Sequence, residues 1–115
     1  VERILVNLLD NARKYAPDGE VLLRLVNADG GVRLEVTDEG PGIPPEAREL
    51  VFEPFYRADQ RHPQPGTGVG LALVAEFARL HRGRAWAQEA PSGGAMIVVD
   101  LPDVQPETAN GQLEA

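Results

Sequence analysis

The chain opens with an amphipathic helical pattern. Over residues 1–16 the apolar side chains recur every three or four positions, which places them on one face of a helix: Val1, Ile4, Leu5, Leu8, Leu9 and Ala12. The following Pro17, Asp18 and Gly19 are typical of a helix end. We therefore predict a first helix that buries one face.

The middle of the chain has the pattern of a β-hairpin followed by a long loop. Residues 20–27 and 32–37 are predicted strands, and the second runs directly into Asp38. Residues 45–51 are predicted to form a short helix with proline near its start. Residues 53–65 contain three prolines and no periodicity, which predicts a mobile surface loop able to act as a lid.

The last third of the chain repeats a helix and a hairpin. A helix is predicted over residues 69–81, with Gly83 just past its end, and strands over residues 84–90 and 96–101. We predict one domain over residues 1–102 and a disordered polar tail over residues 103–115. This order of elements predicts an α/β fold: a two-layer α/β sandwich whose mixed, mostly antiparallel sheet has helices on one face.

Composition limits the classes of function. With 115 residues and 43% hydrophobic content, the chain can build one core. The net charge of −7, with 11 basic residues among 18 acidic ones, argues against a nucleic-acid surface. The chain has no cysteine, and no apolar run approaches the ~20 residues that span a bilayer. Because it begins without Met inside a helical pattern, we expect a segment of a longer protein.

Two asparagines share the polar edge of the first predicted helix. Asn7, Asn11 and Lys14 lie at positions i, i+4 and i+7, beside the apolar face. An amide oxygen is a ligand that Mg²⁺ accepts together with phosphate and water, and Asn11 fits that role. Because asparagine is a mediocre helix former, two of them in mid-helix indicate a functional gain. The alternative, that both merely cap neighbouring backbone groups, is equally open on this block alone.

A carboxylate and two glycines follow the second predicted strand. Asp38 begins the run Asp-Glu-Gly-Pro-Gly-Ile-Pro, in which Gly40 and Gly42 let the backbone approach a flat ring. Asp38 can accept a hydrogen bond from an amino group such as that of adenine. A plain turn is the alternative, and this block alone favours the turn because Asp, Gly and Pro are common turn residues.

A glycine-rich block precedes the second predicted helix. Residues 66–71, Gly-Thr-Gly-Val-Gly-Leu, place backbone N–H groups at a helix start, where phosphate binds well. The block lacks the Gly-Lys-Ser/Thr of a P-loop and has neither the spacing nor the preceding strand of a dinucleotide fingerprint. Alone it also fits a flexible loop. The three blocks in this order together predict an ATP pocket.

These blocks resemble the catalytic and ATP-binding domain of sensor histidine kinases, which has the Bergerat fold and belongs to a wider family with gyrase, Hsp90 and MutL ATPases. The resemblance covers nearly all of residues 1–102. Four family boxes are matched in register: the N box by residues 7–17, the G1 box by 38–44, the F box by 52–57 and the G2 box by 66–73.

The resemblance implies a role for each matched position. Asn11 would ligate Mg²⁺ with support from Asn7, and Lys14 and Arg57 would contact phosphate. Asp38 would bind the adenine amine. The remaining implied positions are Tyr15, Gly40, Gly42 and Ile43 at the purine, Phe52 and Phe55 as anchors of the lid, and Gly66, Thr67, Gly68, Val69, Gly70 and Leu71 at the phosphates.

Two positions distinguish this chain within the family. Hydrolytic members have a glutamate, the general base for water, where this chain has Asn7. An amide cannot take the proton, so the resemblance implies transfer of the γ-phosphoryl group to another nucleophile rather than hydrolysis. In the last hairpin, the family's Gly-Thr or Gly-Ser step followed by Phe is replaced by Gly94, Ala95, Met96 and Ile97, which implies that a hydroxyl contact is lost.

The implied function is that of a protein-histidine kinase that uses ATP and Mg²⁺. The acceptor would lie in a separate dimerisation and histidine-phosphotransfer domain of the same protein, so neither His62 nor His81 is expected to accept phosphate. The phosphoryl group would pass to an aspartate of a response regulator. We expect a cytoplasmic domain without direct membrane contact, with any anchor of the parent protein upstream. The alternatives are an anti-sigma-factor-type serine kinase and a degenerate, non-catalytic nucleotide-binding module.

Overall fold

The computed structural model describes residues 2–15, 19–28, 30–54, 70–91, 93–102 and 104. In chain order these form helix α1 (Glu2–Tyr15), strands β1 (Val21–Ala28) and β2 (Gly31–Asp38), helix α2 (Gly70–Leu80), and strands β3 (Arg84–Glu89) and β4 (Ala95–Leu101). Two short 3₁₀ turns, Pro45–Ala47 and Leu50–Phe52, lie between β2 and α2. The two long helices and four strands are confirmed, with ends that differ from the prediction by no more than one residue.

The four strands form one sheet in the order β1-β2-β4-β3. Every pairing between the described strands is antiparallel, in agreement with the predicted mostly antiparallel sheet. Leu34 in β2 lies opposite Leu25 in β1 and Val99 in β4. Because side chains alternate along a strand, this register turns Leu25, Leu34 and Val99 to the same face of the sheet.

Both helices pack on that apolar face. α1 contacts β2, and α2 contacts β3 and β4. The buried helix positions recur at helical spacing, and they are Ile4, Leu5, Leu8 and Ala12 in α1 and Leu71, Val74 and Ala78 in α2. The structure therefore confirms the two-layer α/β sandwich with helices on one face. Within the described chain, neither helix has the length and apolar character needed to cross a membrane.

The opposite face of the sheet carries Trp86 and several charged side chains. The guanidinium carbons of Arg33 and Arg84 lie 5.4 and 4.7 Å from the centroid of the Trp86 ring. Arg33 also forms an ion pair with Asp100 at 3.7 Å. Val98, which pairs with Trp86 across the strands, is 2% exposed although it lies on the face away from the two helices. The cation–π contacts and the ion pair thus shield an apolar side chain on the outer face.

The helix predicted over residues 45–51 is wrong: this segment forms two 3₁₀ turns. The Ala47 N–H donates to the Pro44 carbonyl at 2.9 Å, and the Phe52 N–H donates to the Glu49 carbonyl at 3.3 Å. Pro44 and Pro45 lack N–H donors, and so short a segment cannot recover the cost of nucleating an α-helix. Burial of Ala47 and Val51 fixes the segment on the protein instead.

Gly83 follows α2 as predicted, but its role differs from that of a helix-ending glycine with positive φ. Arg82 takes the left-handed conformation, with φ of 60°, and the Gly83 N–H donates to the Ala78 carbonyl at 2.7 Å. A Cβ at Gly83 would overlap the Asp100 carbonyl oxygen. Glycine is therefore needed here because the chain passes close to β4.

The predicted domain boundary at residue 102 stays a prediction. Val104 lies beyond it, is buried with the core, and donates its N–H to the Leu101 carbonyl at 3.2 Å. Residues 103 and 105–115 of the predicted tail, and residues 55–65 of the predicted lid, lie outside the described residues.

Leu34 tests the importance of the sheet's apolar face. Its side chain is completely buried, so Leu34→Ala should lower the free energy of unfolding by about 2–5 kcal/mol. Leu22 in the neighbouring strand is 57% exposed. Leu22→Ala should therefore change the free energy of unfolding by less than about 1 kcal/mol. Urea denaturation of the two variants measures both values. Equal losses would contradict this assignment of the core.

Candidate functional site

Asp38, the last residue of β2, is the one charged side chain that is buried among the described residues. Its Oδ1 accepts hydrogen bonds from two backbone N–H groups, that of Gly40 at 2.9 Å and that of Ala95 at 3.2 Å. Ala95 is the first residue of β4, so the carboxylate joins the end of one central strand to the start of the other. These two bonds fix the orientation of the carboxyl group.

The backbone around Asp38 is packed so tightly that glycine is required. A Cβ at Gly94 would overlap the Asp38 carbonyl oxygen and lie 3.2 Å from Oδ1. Gly42 has φ of 85°, and a Cβ there would lie 3.1 Å from the Gly93 carbonyl oxygen. The loop after β2 and the turn between β3 and β4 therefore lie against each other, with main chain facing main chain.

Gly94 and Ala95 support Asp38, and the sequence did not reveal this role. Gly94 packs against Asp38, and Ala95 donates a hydrogen bond to it. The sequence showed only a Gly-Gly turn and the absence of a hydroxyl at Ala95. Ala95 acts through its backbone N–H, which every residue except proline provides. The missing hydroxyl therefore does not remove this support.

The first turn of α2 lies beside the asparagine stripe of α1. A Cβ placed on Gly70 would lie 3.9 Å from both Cβ and Oδ1 of Asn7. Asn7 and Asn11 are both half-buried, at the edge of the buried face of α1. The structure thus brings the beginning of the second helix to Asn7, although many residues separate the two in the chain. α1 also packs against β2, the strand that ends in Asp38.

Other predicted site residues differ in how far the structure describes them. Ile43 and Phe52 are half-buried and pack against the core, and Leu71 is part of that core. The side chains of Lys14 and Tyr15 are not described. The following lie wholly outside the described residues, and their roles stay predictions: Phe55, Arg57, Gly66, Thr67, Gly68 and Val69.

The described part of this site has two chemical features. At one end, a carboxylate whose Oδ1 already accepts two N–H groups is held at the end of the sheet. At the other end, the neutral amide oxygen of Asn7 lies beside the first residue of α2, a helix N-terminus where N–H groups and the helix dipole favour an anion. This combination suits a ligand with an amino group at one end and an anionic group at the other.

Residues 1–105 match the family described as histidine kinase-, DNA gyrase B-, and HSP90-like ATPase. The chain is 43% identical over 113 residues to the sensor histidine kinase TmoS of Ectopseudomonas mendocina, a match that covers 94% of this chain and 12% of TmoS. It is 47% identical over 94 residues to the signal transduction histidine-protein kinase/phosphatase MprB of Mycolicibacterium smegmatis, a match that covers 80% of this chain and 19% of MprB. The matches therefore span only a small part of these curated relatives.

Two solved structures are similar to the chain. The mycobacterial sensor histidine kinase MprB superposes with a TM-score of 0.75 at 40% identity, covering 90% of this chain and 70% of that chain. Full-length ShkA in complex with AMPPNP superposes with a TM-score of 0.75 at 36% identity, covering 90% of this chain and 21% of that chain. These similarities extend over nearly the whole α/β sandwich.

The two hydrogen bonds to Asp38 predict different effects for two substitutions. Asp38→Ala leaves the buried Ala95 N–H without a partner, so the free energy of unfolding should fall by about 1–3 kcal/mol. Asp38→Asn keeps an acceptor oxygen at the Oδ1 position and should cost less than about 1 kcal/mol. Urea denaturation measures both. If the alanine variant proved as stable as the asparagine variant, the proposed support of Asp38 would be wrong.

Proposed function

Because the chain belongs to the histidine kinase-, DNA gyrase B-, and HSP90-like ATPase family, as the ATP-binding catalytic domain of a sensor histidine kinase, we propose that it binds ATP with Mg²⁺ and transfers the γ-phosphoryl group to a histidine. The observation that carries the proposal is the fixed carboxylate of Asp38 at the end of β2. The AMPPNP complex of the similar protein ShkA supports an adenine nucleotide as the ligand.

Asp38 recognises the adenine in this proposal. Its Oδ1 accepts the Gly40 and Ala95 N–H groups, so the exocyclic amine of the purine would donate to Oδ2. Gly40 and Gly42 let the loop approach the flat ring, and Ile43 adds an apolar contact. The Tyr15 ring would pack on the purine.

The other end of the nucleotide would lie between α1 and the start of α2. Neutral amide oxygens fit Mg²⁺ because the ion is bound by few protein ligands together with phosphate and water, and Asn11 is the proposed ligand. When bound, Mg²⁺ neutralises charge on the phosphates. Lys14 and Arg57 would contact phosphate. The backbone of the glycine-rich block would hold the phosphate oxygens through Gly66, Thr67, Gly68, Val69, Gly70 and Leu71.

Because Asn7 stands where a general base would activate water, we favour transfer of the γ-phosphoryl group over hydrolysis of ATP. Asn7 lies one turn before Asn11 and beside Gly70, where it cannot act as a general base for water because an amide does not accept a proton. The chain's contribution is therefore to position ATP and to exclude an activated water. A nitrogen of the acceptor imidazole forms the P–N bond as the bond from the γ-phosphorus to its bridging oxygen breaks. ADP then leaves, and one proton is lost from the imidazole.

The partners follow from the same proposal. The acceptor histidine belongs to a dimerisation and histidine-phosphotransfer domain of the same protein, and the phosphoryl group then passes to an aspartate of a response regulator. The domain acts in the cytoplasm, with any membrane anchor in another part of the parent protein. Sequence similarity to histidine kinases of several bacteria supports these assignments.

Nucleotide titrations distinguish the roles of Asp38 and Asn11. Asp38→Asn places an N–H₂ group against the adenine amine, so ATP affinity should fall at least about tenfold with or without Mg²⁺. Asn11→Ala should lower ATP affinity about tenfold when Mg²⁺ is present and should leave it almost unchanged in EDTA. Isothermal titration calorimetry measures both. Leu22→Ala, on an exposed part of β1, is the control and should bind like the wild type. An Asn11→Ala variant with unchanged Mg²⁺ dependence would refute the metal assignment.

Labelling the parent protein tests the reaction itself. Incubated with γ-labelled ATP and Mg²⁺, it should gain a label that is lost in acid and stable in base, as a phosphoramidate bond is. Replacing the acceptor histidine should abolish the label. An acid-stable label would instead indicate the serine kinase, and rapid release of free phosphate without label would show that Asn7 does not prevent hydrolysis.

A further inference from the structure

The glycine loop, residues 39–44, follows Asp38 and would face the purine in the proposed function. It contains Gly40 and Gly42 together with two prolines, and it forms neither helix nor strand. A segment of this kind lacks a repeating ladder of backbone hydrogen bonds, so individual contacts decide where it lies. The contacts that hold the loop therefore set how closely it approaches the ring.

Two contacts hold the first part of the glycine loop. The Gly40 N–H donates to Asp38 Oδ1 at 2.9 Å. Gly42 lies against the turn between β3 and β4, where a Cβ on it would come within 3.1 Å of the Gly93 carbonyl oxygen. Both contacts precede Ile43, which adds an apolar contact to the purine in the proposed function. The position of Ile43 depends on what holds the end of the loop.

Ile43 is held in two ways. Its side chain packs against the core, and its carbonyl oxygen accepts a hydrogen bond from Arg48 Nε at 3.2 Å. Apolar packing has no preferred direction, whereas a hydrogen bond has one. The bond from Arg48 therefore fixes the orientation of the peptide group that joins Ile43 to Pro44.

The backbone hydrogen bonds of the following 3₁₀ turn start one residue after Ile43. The Ala47 N–H donates to the Pro44 carbonyl at 2.9 Å, and the Arg48 N–H donates to the Pro45 carbonyl at 3.3 Å. Pro44 and Pro45 have no N–H to donate. Arg48 thus bonds twice: its backbone closes the turn, and its side chain reaches back to the end of the glycine loop.

The segment that carries Arg48 is itself fixed on the protein. Ala47 and Val51, on either side of Arg48 in the chain, are only 6% and 8% exposed. Arg48 is half-buried, and because its guanidinium group stays charged, its hydrogen bond is of the stronger, charge-assisted kind. The bond therefore links the end of the glycine loop to a part of the chain that is packed in place.

We propose that Arg48 is a positioning residue for the nucleotide: by holding the Ile43 carbonyl, it keeps the glycine loop where Gly42 and Ile43 contact the purine. This inference rests on the proposed function, because the purine is the ligand that the loop would contact. Arg48 acts through the loop and not by contact with ATP. A loop that is already in place loses less entropy when the ligand binds, so the bond raises affinity for the purine and has no effect on Mg²⁺.

Arg48→Met and Arg48→Gln form a matched pair of variants. Both remove the charge and keep the length of the side chain, but only glutamine keeps an N–H donor, at the same number of bonds from Cα as Nε of arginine. The methionine variant should bind ATP about tenfold more weakly than the wild type, and the glutamine variant less than about threefold more weakly. Isothermal titration calorimetry of the full chain measures both affinities. Arg79→Met, which removes an exposed ion pair with Glu76 on α2, is the control and should bind like the wild type.

Three further measurements distinguish positioning of the purine from general damage to the fold. Adenosine, which has no phosphate, should lose the same factor of affinity as ATP in Arg48→Met. The ratio of ATP affinity in Mg²⁺ to that in EDTA should match the ratio of the wild type. The carbon NMR signal of the Ile43 carbonyl, which responds to the hydrogen bond, should shift in Arg48→Met and stay close to its wild-type position in Arg48→Gln.

Different results would overturn different parts of the proposal. Equal ATP affinities of Arg48→Met and Arg48→Gln would exclude a role for the hydrogen bond. An unchanged affinity of Arg48→Met for adenosine would exclude the link to the purine. If the wild type bound no ATP, the proposed function and this role would both be wrong, whereas tight binding by both the wild type and Arg48→Met would refute the role of Arg48 alone.

Discussion

The hydrogen bond from the Ala95 N–H to Asp38 Oδ1 is the interaction on which the described site depends. It joins residues 57 positions apart and ties the end of β2 to the start of β4. Burying a polar group without a hydrogen-bond partner costs about 2–7 kcal/mol, and burying an unpartnered carboxylate costs more, so the two N–H donors are needed for the fold. The same bonds orient the carboxyl group toward a ligand. In the proposed function, stability and adenine recognition therefore both depend on Asp38, and a substitution that separates the two effects must keep the acceptor at Oδ1.

The rest of the site follows from how closely backbone segments approach one another. Gly94 touches Asp38, Gly42 faces the turn at Gly93, and Gly70 lies beside Asn7. At each of these contacts a side chain on the glycine would narrow or fill the space. The close contacts put main-chain groups, rather than flexible side chains, around Asp38 and beside Asn7. Such groups lose little conformational entropy on binding, which suits a site that must hold a nucleotide in one orientation.

The sequence was sufficient for the features that depend on local pattern. The spacing of apolar residues predicted both long helices, and the alternation around Leu34 predicted β2 and its direct continuation into Asp38. The order of the motifs predicted the family. The sequence was insufficient where a contact between distant segments decides the structure. Nothing near Ala95 indicates that its N–H bonds to Asp38, and nothing near Gly83 indicates the passage of Asp100. The helix over residues 45–51 failed because burial of Val51 and the two prolines outweighed helical propensity.

The 3₁₀ segment lies between the glycine loop after Asp38 and the edge strand β3. It follows the glycine loop directly, and Arg48 is bonded to Ile43 within that loop. Pro45 and Arg48 line a cavity of about 710 Å³ that reaches β3. They also line a second cavity, of about 420 Å³, whose wall includes Gly42 and Ile43. A purine held by the glycine loop, as proposed, would therefore contact one end of a short segment whose other end lies beside β3. Since Ala47 and Val51 fix this segment on the core, a shift at one end must be accommodated at the other or in the core itself.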